Sequence, residues 1–204
     1  MREIFEGAAL RCVATRRAKG PRPSRPLAAI LVLSLLPAIS ALPAQQTGPG
    51  EYQVKAAYLY QFGRFVHWPA ALVNHSFSIC VLGRDPFGPT LETALTGETI
   101  DGKDVVPKRI SRPQDALSCN ILFISSSEEK ELSSILAAID RAGVLTVSEI
   151  PGFSQRGGMI QLLSQGRRVR FEVNLAVAGS AGLTLSSELL KLAVSVRRNP
   201  VPGN

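Results

Sequence analysis

The chain has 204 residues, with 23 basic and 16 acidic side chains and a formal net charge of +7. Seven of the basic and two of the acidic residues precede residue 45, which leaves 16 against 14 and a charge of +2 for the rest. A body so nearly neutral has no global electrostatic claim on nucleic acid, and the roughly 160 residues left suit a single domain with a real core.

The early positive charge has a pattern. Arg2, Arg11, Arg16, Arg17, Lys19, Arg22 and Arg25 precede an apolar run, Leu27 to Ile39, broken only by Ser34 and Pro37. Small residues follow, with Ala38-Ile39-Ser40 and Leu42-Pro43-Ala44 as candidate cleavage sites. Basic, apolar and small-residue regions in that order form a secretory signal. The apolar part is about a dozen residues, short of the roughly 20 a spanning helix needs. Residues 1–44 are therefore expected to be a cleaved signal peptide, with an uncleaved anchor as the alternative, and residues 45–50 a linker.

From Glu51 the spacing of Val54, Tyr58, Phe62 and Phe65 predicts an amphipathic helix, ended by Pro69. Phe77–Leu82 reads as a buried strand, and Arg84–Gly88 as a turn before a short helix over Thr90–Leu95. Lys103–Ile110 reads as a strand near an edge, because Pro107 cannot donate to a ladder. Ile121–Ile124 is a further apolar strand. Ser126 and Glu129 then have capping-box spacing ahead of a helix with Leu132, Ile135, Leu136 and Ile139 on one stripe, closed by Gly143. Val144–Val147 is another strand, and Pro151–Gly157 a loop. Met159–Leu163 and Val169–Leu175 flank a turn at Gln165-Gly166 as a hairpin, and Ser186–Val196 reads as an amphipathic helix. Buried strands alternating with helices imply an α/β fold. The expectation is a single-domain layered mixed sheet of about six strands flanked by helices, over residues 51–196.

The chemistry is sparse. The sequence holds no G-x-S-x-G elbow, P-loop, H-E-x-x-H or dinucleotide-binding glycine fingerprint. Its two histidines are His67, at a helix end where packing is the expected role, and His75, in a polar loop. No cluster of metal-ligating spacing is present, so neither catalysis nor a cofactor is expected. Cys12 lies in the signal, leaving Cys80 and Cys119 as either a disulfide or two buried thiols.

Three features suggest binding. Period-2 alternation puts Arg168, Arg170, Glu172 and Asn174 on one face of the hairpin strand, a charged row suited to a partner's charges. The glycine-rich loop from Pro151 to Gly158 carries Phe153, expected to be an exposed anchor. Arg64 precedes Phe65-Val66-His67-Trp68-Pro69, where a cation meets aromatic rings.

In order along the chain, Val54-Lys55-Ala56-Ala57-Tyr58-Leu59, Phe65-Val66-His67-Trp68-Pro69, Ile79-Cys80-Val81-Leu82-Gly83, Asp85-Pro86-Phe87-Gly88, Ile121-Leu122-Phe123-Ile124-Ser125, Val144-Leu145-Thr146-Val147-Ser148, Gly152-Phe153, Gly157-Gly158-Met159-Ile160 and Val169-Arg170-Phe171-Glu172-Val173-Asn174-Leu175 resemble the YfiR family of periplasmic regulators, from about Val54 to Val196. The resemblance implies a non-enzymatic, homodimeric repressor. Such a protein binds the periplasmic sensor domain of an inner-membrane diguanylate cyclase, lowering cyclic di-GMP and biofilm formation. It also implies a Cys80–Cys119 disulfide and a role for Glu172 in partner control. Better-known members carry a second cysteine pair around Phe153–Leu163, where this sequence has Ser154 and Gln161, so redox sensing through that pair is unavailable. The competing readings are a periplasmic small-ligand or peptidoglycan-binding module, with the loop after Val147 lining a cleft, and a hydrolase with an unrecognised site.

Overall fold

The computed structural model describes residues 49–68, 76–166 and 168–198, all within one compact unit, Ala44–Asn204. The expected signal segment, Pro69 and His75 lie outside the described residues. In chain order the elements are α1 (Pro49–Phe65), β1 (Val66–His67), β2 (Phe77–Leu82), α2 (Pro89–Leu95), β3 (Thr99–Ile100), β4 (Lys103–Ile110), β5 (Ile121–Ile124), α3 (Leu132–Ala138), β6 (Leu145–Ser148), β7 (Ile160–Gln165), β8 (Arg168–Asn174), α4 (Leu175–Ser180), β9 (Thr184–Leu185), α5 (Ser187–Leu192) and β10 (Ser195–Arg197).

Eight strands form one sheet in the order β10-β8-β7-β6-β5-β2-β4-β3. β4, β2, β5, β6 and β7 run parallel, and β8 closes the β7 hairpin antiparallel. The sheet is mixed α/β, and its six longer strands are those the sequence indicated. β3 covers only Lys103 and Asp104 of β4, so the Pro107 stretch lies at the edge, where a missing N–H is tolerated.

Every residue of β2, β5 and β6 is buried, as expected of parallel strands covered on both faces. Ile79, Val81, Ile121, Phe123, Leu145 and Val147 join one core with α1, α2 and α5. Cys80, Leu82, Leu122 and Ile124 join the other with α3, Ile150 and Phe153. In the second core Cys80 and Cys119 form a disulfide, with Cα atoms 6.0 Å apart.

α1 is turned from the expected orientation. Val54 is 45% exposed, whereas Ala56, Leu59, Phe62 and Val66 are buried. The packed line uses small residues for close approach: a Cβ on Gly63 would run into Ile100 and Phe77. Phe62 and Phe171 then meet edge to face at 5.2 Å. The helix stops at Phe65 because the chain enters β1, which pairs with β9. His67 is exposed there rather than packed.

The α3 approach also differs. Ser125, not Ser126, caps the preceding 3-10 turn, its side chain accepting from Ser127 N. The expected tail helix is cut to six residues, Ser187–Leu192. Beyond it Val194 N donates to Phe171 O at 2.9 Å, and β10 adds to β8 in parallel. A ladder of backbone bonds there outcompetes further helix.

The disulfide spans 39 residues, and closing such a loop stabilises by about 4 kcal/mol on chain-entropy grounds. Replacing both Cys80 and Cys119 by Ala should lower unfolding stability by about that amount in a denaturant titration. Thiol labelling of the unreduced, denatured protein, read by peptide mapping, should leave both unlabelled; labelling of either would refute the bond.

Candidate functional site

Two polar regions stand out against this apolar frame, and they touch. The first is the hairpin face. Arg168 and Arg170 are exposed, and Glu172 is half-buried, so the alternation read from the sequence holds over these three. It fails at Asn174, which is 0% exposed. Its side chain caps α4, with Val177 N donating to Oδ1 at 3.2 Å, and Nδ2 donates to Ser154 O at 2.7 Å. Asn174 is a brace under the face, not part of its surface.

Phe153 is corrected in the same way. It is 0% exposed and sits in the second core. Gly158 makes room for it, since a Cβ there would collide with the Phe153 ring. A large aromatic gains more from that burial than a solvated loop tip could return. With Phe153 turned inward, the loop presents Ser154 to the sheet. Ser154 Oγ donates to Glu172 Oε2 at 3.1 Å, and Ser154 N to Gln161 Oε1 at 3.3 Å. Gln161 and Glu172 are themselves register partners across the hairpin. One serine thus fixes the side chains of Glu172, Gln161 and Asn174. Ser154 and Gln161 stand where the resemblance placed a second cysteine pair, and a hydrogen bond joins them.

Arg64 and Trp68 do not join this face. Arg64 is exposed, its guanidinium 5.9 Å from the Tyr60 ring centroid. Trp68 is half-buried and edge-on to Phe77 at 5.1 Å. Its Nε1 is buried without a hydrogen-bond partner among the described residues.

The second polar region was not foreseen. Lys55, on α1, is 2% exposed. Its Nζ pairs with Glu51 at 2.7 Å and with Glu149, the residue that follows β6. Glu149 Oε1 also accepts from Tyr52 OH at 3.1 Å and Ser126 Oγ at 3.2 Å. Glu51 accepts from Ser164 of β7. Burial and the negative charge of Glu149 raise the Tyr52 phenol far above its usual value, so it stays a donor. Burial pushes Glu51 up, but hydrogen bonds from Lys55 and Ser164, with the Lys55 charge, outweigh it and hold its carboxyl below the usual range. The sequence signal was present: a Lys beside the apolar line of a helix, four residues after a Glu.

This network borders a cleft of about 370 Å³ lined by residues including Lys55, Glu149, Pro151 and Gln161. A second hollow of about 430 Å³ is lined by Arg84, Asp85, Pro86 and Ser125–Ser127, and shares Ser126 and Glu149 with the first. Beside it, Arg109 clamps Asp85 at 2.7 Å and also pairs with Glu92.

The described residues therefore form a doubly wound α/β domain, its polar groups gathered at a hairpin face and at the strand ends. Among them there is no group of His, Cys, Asp and Glu able to hold a metal ion, and no helix long and apolar enough to cross a membrane. The chain belongs to the YfiR/HmsC-like family, whose model matches residues 52–194. A crystal structure of a conserved domain protein from Vibrio cholerae O1 biovar El Tor is similar in fold, with a TM-score of 0.53 and 10% identity over 72% of this chain. The ABC domain in complex with L-Trp from Streptococcus pneumonia gives a TM-score of 0.47 and 11% identity over 71% of this chain. The chain spans 60% of the length of each.

The depressed Glu51 carboxyl makes a pH prediction. Its ionised form is favoured by folding, so its contribution is present above the unfolded value of about 4.3 and is lost as pH falls through the lower folded value. Melting temperatures of the wild type and of Glu51→Gln, compared from pH 6 down to 3, should converge toward the acid end. A gap that stays constant over the whole range would contradict the assignment.

Proposed function

We propose that the chain is a periplasmic regulatory protein that binds the periplasmic sensor domain of an inner-membrane diguanylate cyclase and holds that enzyme inactive. Membership of the YfiR/HmsC-like family carries this reading, since the family is regulatory and non-enzymatic. Export would follow from residues 1–44 acting as a cleaved signal. The protein would act as a homodimer, and its effect in the cell would be less cyclic di-GMP and less biofilm. Repression requires a preference for the inactive cyclase, because equal affinity for both conformations shifts nothing.

The contact surface we assign is the hairpin face. Arg168 and Arg170 supply positive charge, and Glu172 supplies a carboxylate held in place by Ser154. A preset carboxylate loses little side-chain freedom on binding, which favours affinity. Arg64 and Trp68 lie off this face and remain candidates only for a separate, secondary contact, whereas Phe153 and Asn174 support the hairpin face from beneath.

A second reading, a periplasmic small-ligand or peptidoglycan-binding module, draws support from the cleft. Glu149 and Pro151, in the segment after Val147, do line it.

Glu172→Ala and Arg170→Ala should each weaken co-purification with the sensor domain of a cyclase encoded nearby, by about tenfold or more for a charged contact that is desolvated, and should raise cyclic di-GMP in cells. Their melting temperatures should stay close to wild type. If neither deletion of the gene nor either substitution changes cyclic di-GMP, the reading fails.

A further inference from the structure

The winding of the sheet singles out one place. From β2 the chain crosses by α2 to β4 on one side, then returns to β5, β6 and β7 on the other. The direction reverses between β2 and β5. In open α/β sheets the crevice outside the carboxyl ends of the strands at such a reversal is where ligands bind. Arg84 and Asp85 follow β2, and Ser125–Ser127 follow β5, and these residues line one of the two joined hollows. Gly83 keeps the wall thin, since a Cβ there would strike Ser127 and Glu128.

The polar network in the cleft is poorly explained by stability. Replacing a buried ion pair with apolar residues of similar volume is often neutral or stabilising. Lys55 is nonetheless buried and held between Glu51 and Glu149. Gln161 is 6% exposed and borders the same cleft. Its oxygen is taken by Ser154 N, while its NH2 has no acceptor among the described residues. That donor is not enclosed, since the one buried side-chain donor without a partner among the described residues is Trp68 Nε1; the Gln161 NH2 opens on the cleft, where it is available to a ligand oxygen.

The charges decide the ligand class. Lys55 and Arg84 balance Glu51 and Glu149, and Asp85 is occupied by Arg109. An anion such as phosphate would face Glu149 with only the exposed Arg84 to hold it. A cation would have to displace Lys55 from the carboxylates it already neutralises. The hydroxyls of Ser126 and Tyr52 donate to Glu149 and that of Ser127 to Glu128, which leaves lone pairs to accept, while the Gln161 amide donates; that pairing suits ligand hydroxyls, which donate and accept at once. We infer that this cleft binds a small uncharged polyhydroxylated molecule, a saccharide unit. The site is separate from the cyclase reading and stands or falls without it.

Two-dimensional amide NMR of the chain, titrated with N-acetylglucosamine and with glucose, tests the site, with inorganic phosphate and glycine as charged comparisons. At least one sugar should shift the amides of Ser126, Glu149 and Gln161 in a saturable way. Ser126→Ala should weaken that binding by about tenfold, the loss of a hydrogen bond in a charge-linked network. The surface variant Arg141→Ala should bind as the wild type does. Melting curves of Ser126→Ala should match the wild type, so a loss of shifts reports binding and not unfolding. The inference is overturned if neither sugar moves these amides, if phosphate or glycine moves them as strongly, or if Ser126→Ala binds unchanged.

Discussion

Burial of the central strands on both faces sets the terms for everything else in the domain. β2, β5 and β6 have no exposed residue, so their backbone polar groups are spent on one another and their side chains on two cores. Polar function is pushed to where strands end or where the sheet is less covered. Both polar regions obey this. The cleft opens past the carboxyl ends of β2, β5 and β6, and the charged row lies on β8, next to the short outer strand β10.

What could be read from the sequence follows from the same constraint. Phe77–Leu82, broken only by Ser78, and Ile121–Ile124 are apolar runs because they are buried on both sides, and the structure starts and ends those strands at the same residues. Lys103–Ile110 was legible for a different reason, its Pro107 marking an edge. The illegible parts depend on partners remote in the chain. β10 exists because Val194 N finds Phe171 O, and no local periodicity announces a backbone bond made to another strand. α4 was missed because its start is set by Asn174, a residue whose alternation fitted the strand before it. The rotation of α1 has a similar origin: Lys55 enters the interior only because Glu149 comes to meet it, and the two are far apart in sequence.

The candidate site divides along the same line. Alternation located Arg168, Arg170 and Glu172 correctly on one face, since strand geometry alone fixes that. It could not distinguish a side chain at the surface from one capped over, which is where Asn174 and Phe153 went astray. The glycine-rich loop pointed to an exposed anchor at Phe153, yet the missing side chain of Gly158 is what admits the Phe153 ring into the interior. A glycine pair beside an aromatic is as much a packing device as a sign of an exposed tip. The cleft left only faint marks: serines after a strand, and a lysine next to an apolar helix line.

The tie between Ser154 and Gln161 gives the hairpin a particular temporal character. Breaking a disulfide at such a point takes an attacking thiol and minutes to hours without a catalyst. An amide N–H held by a carboxamide oxygen opens and recloses by thermal motion, with no chemistry and no reductant. The support under Glu172 is therefore a non-covalent tie, which only a partner that binds its made and broken forms unequally would shift. A tie built on oxygen and nitrogen keeps no memory of past oxidant exposure.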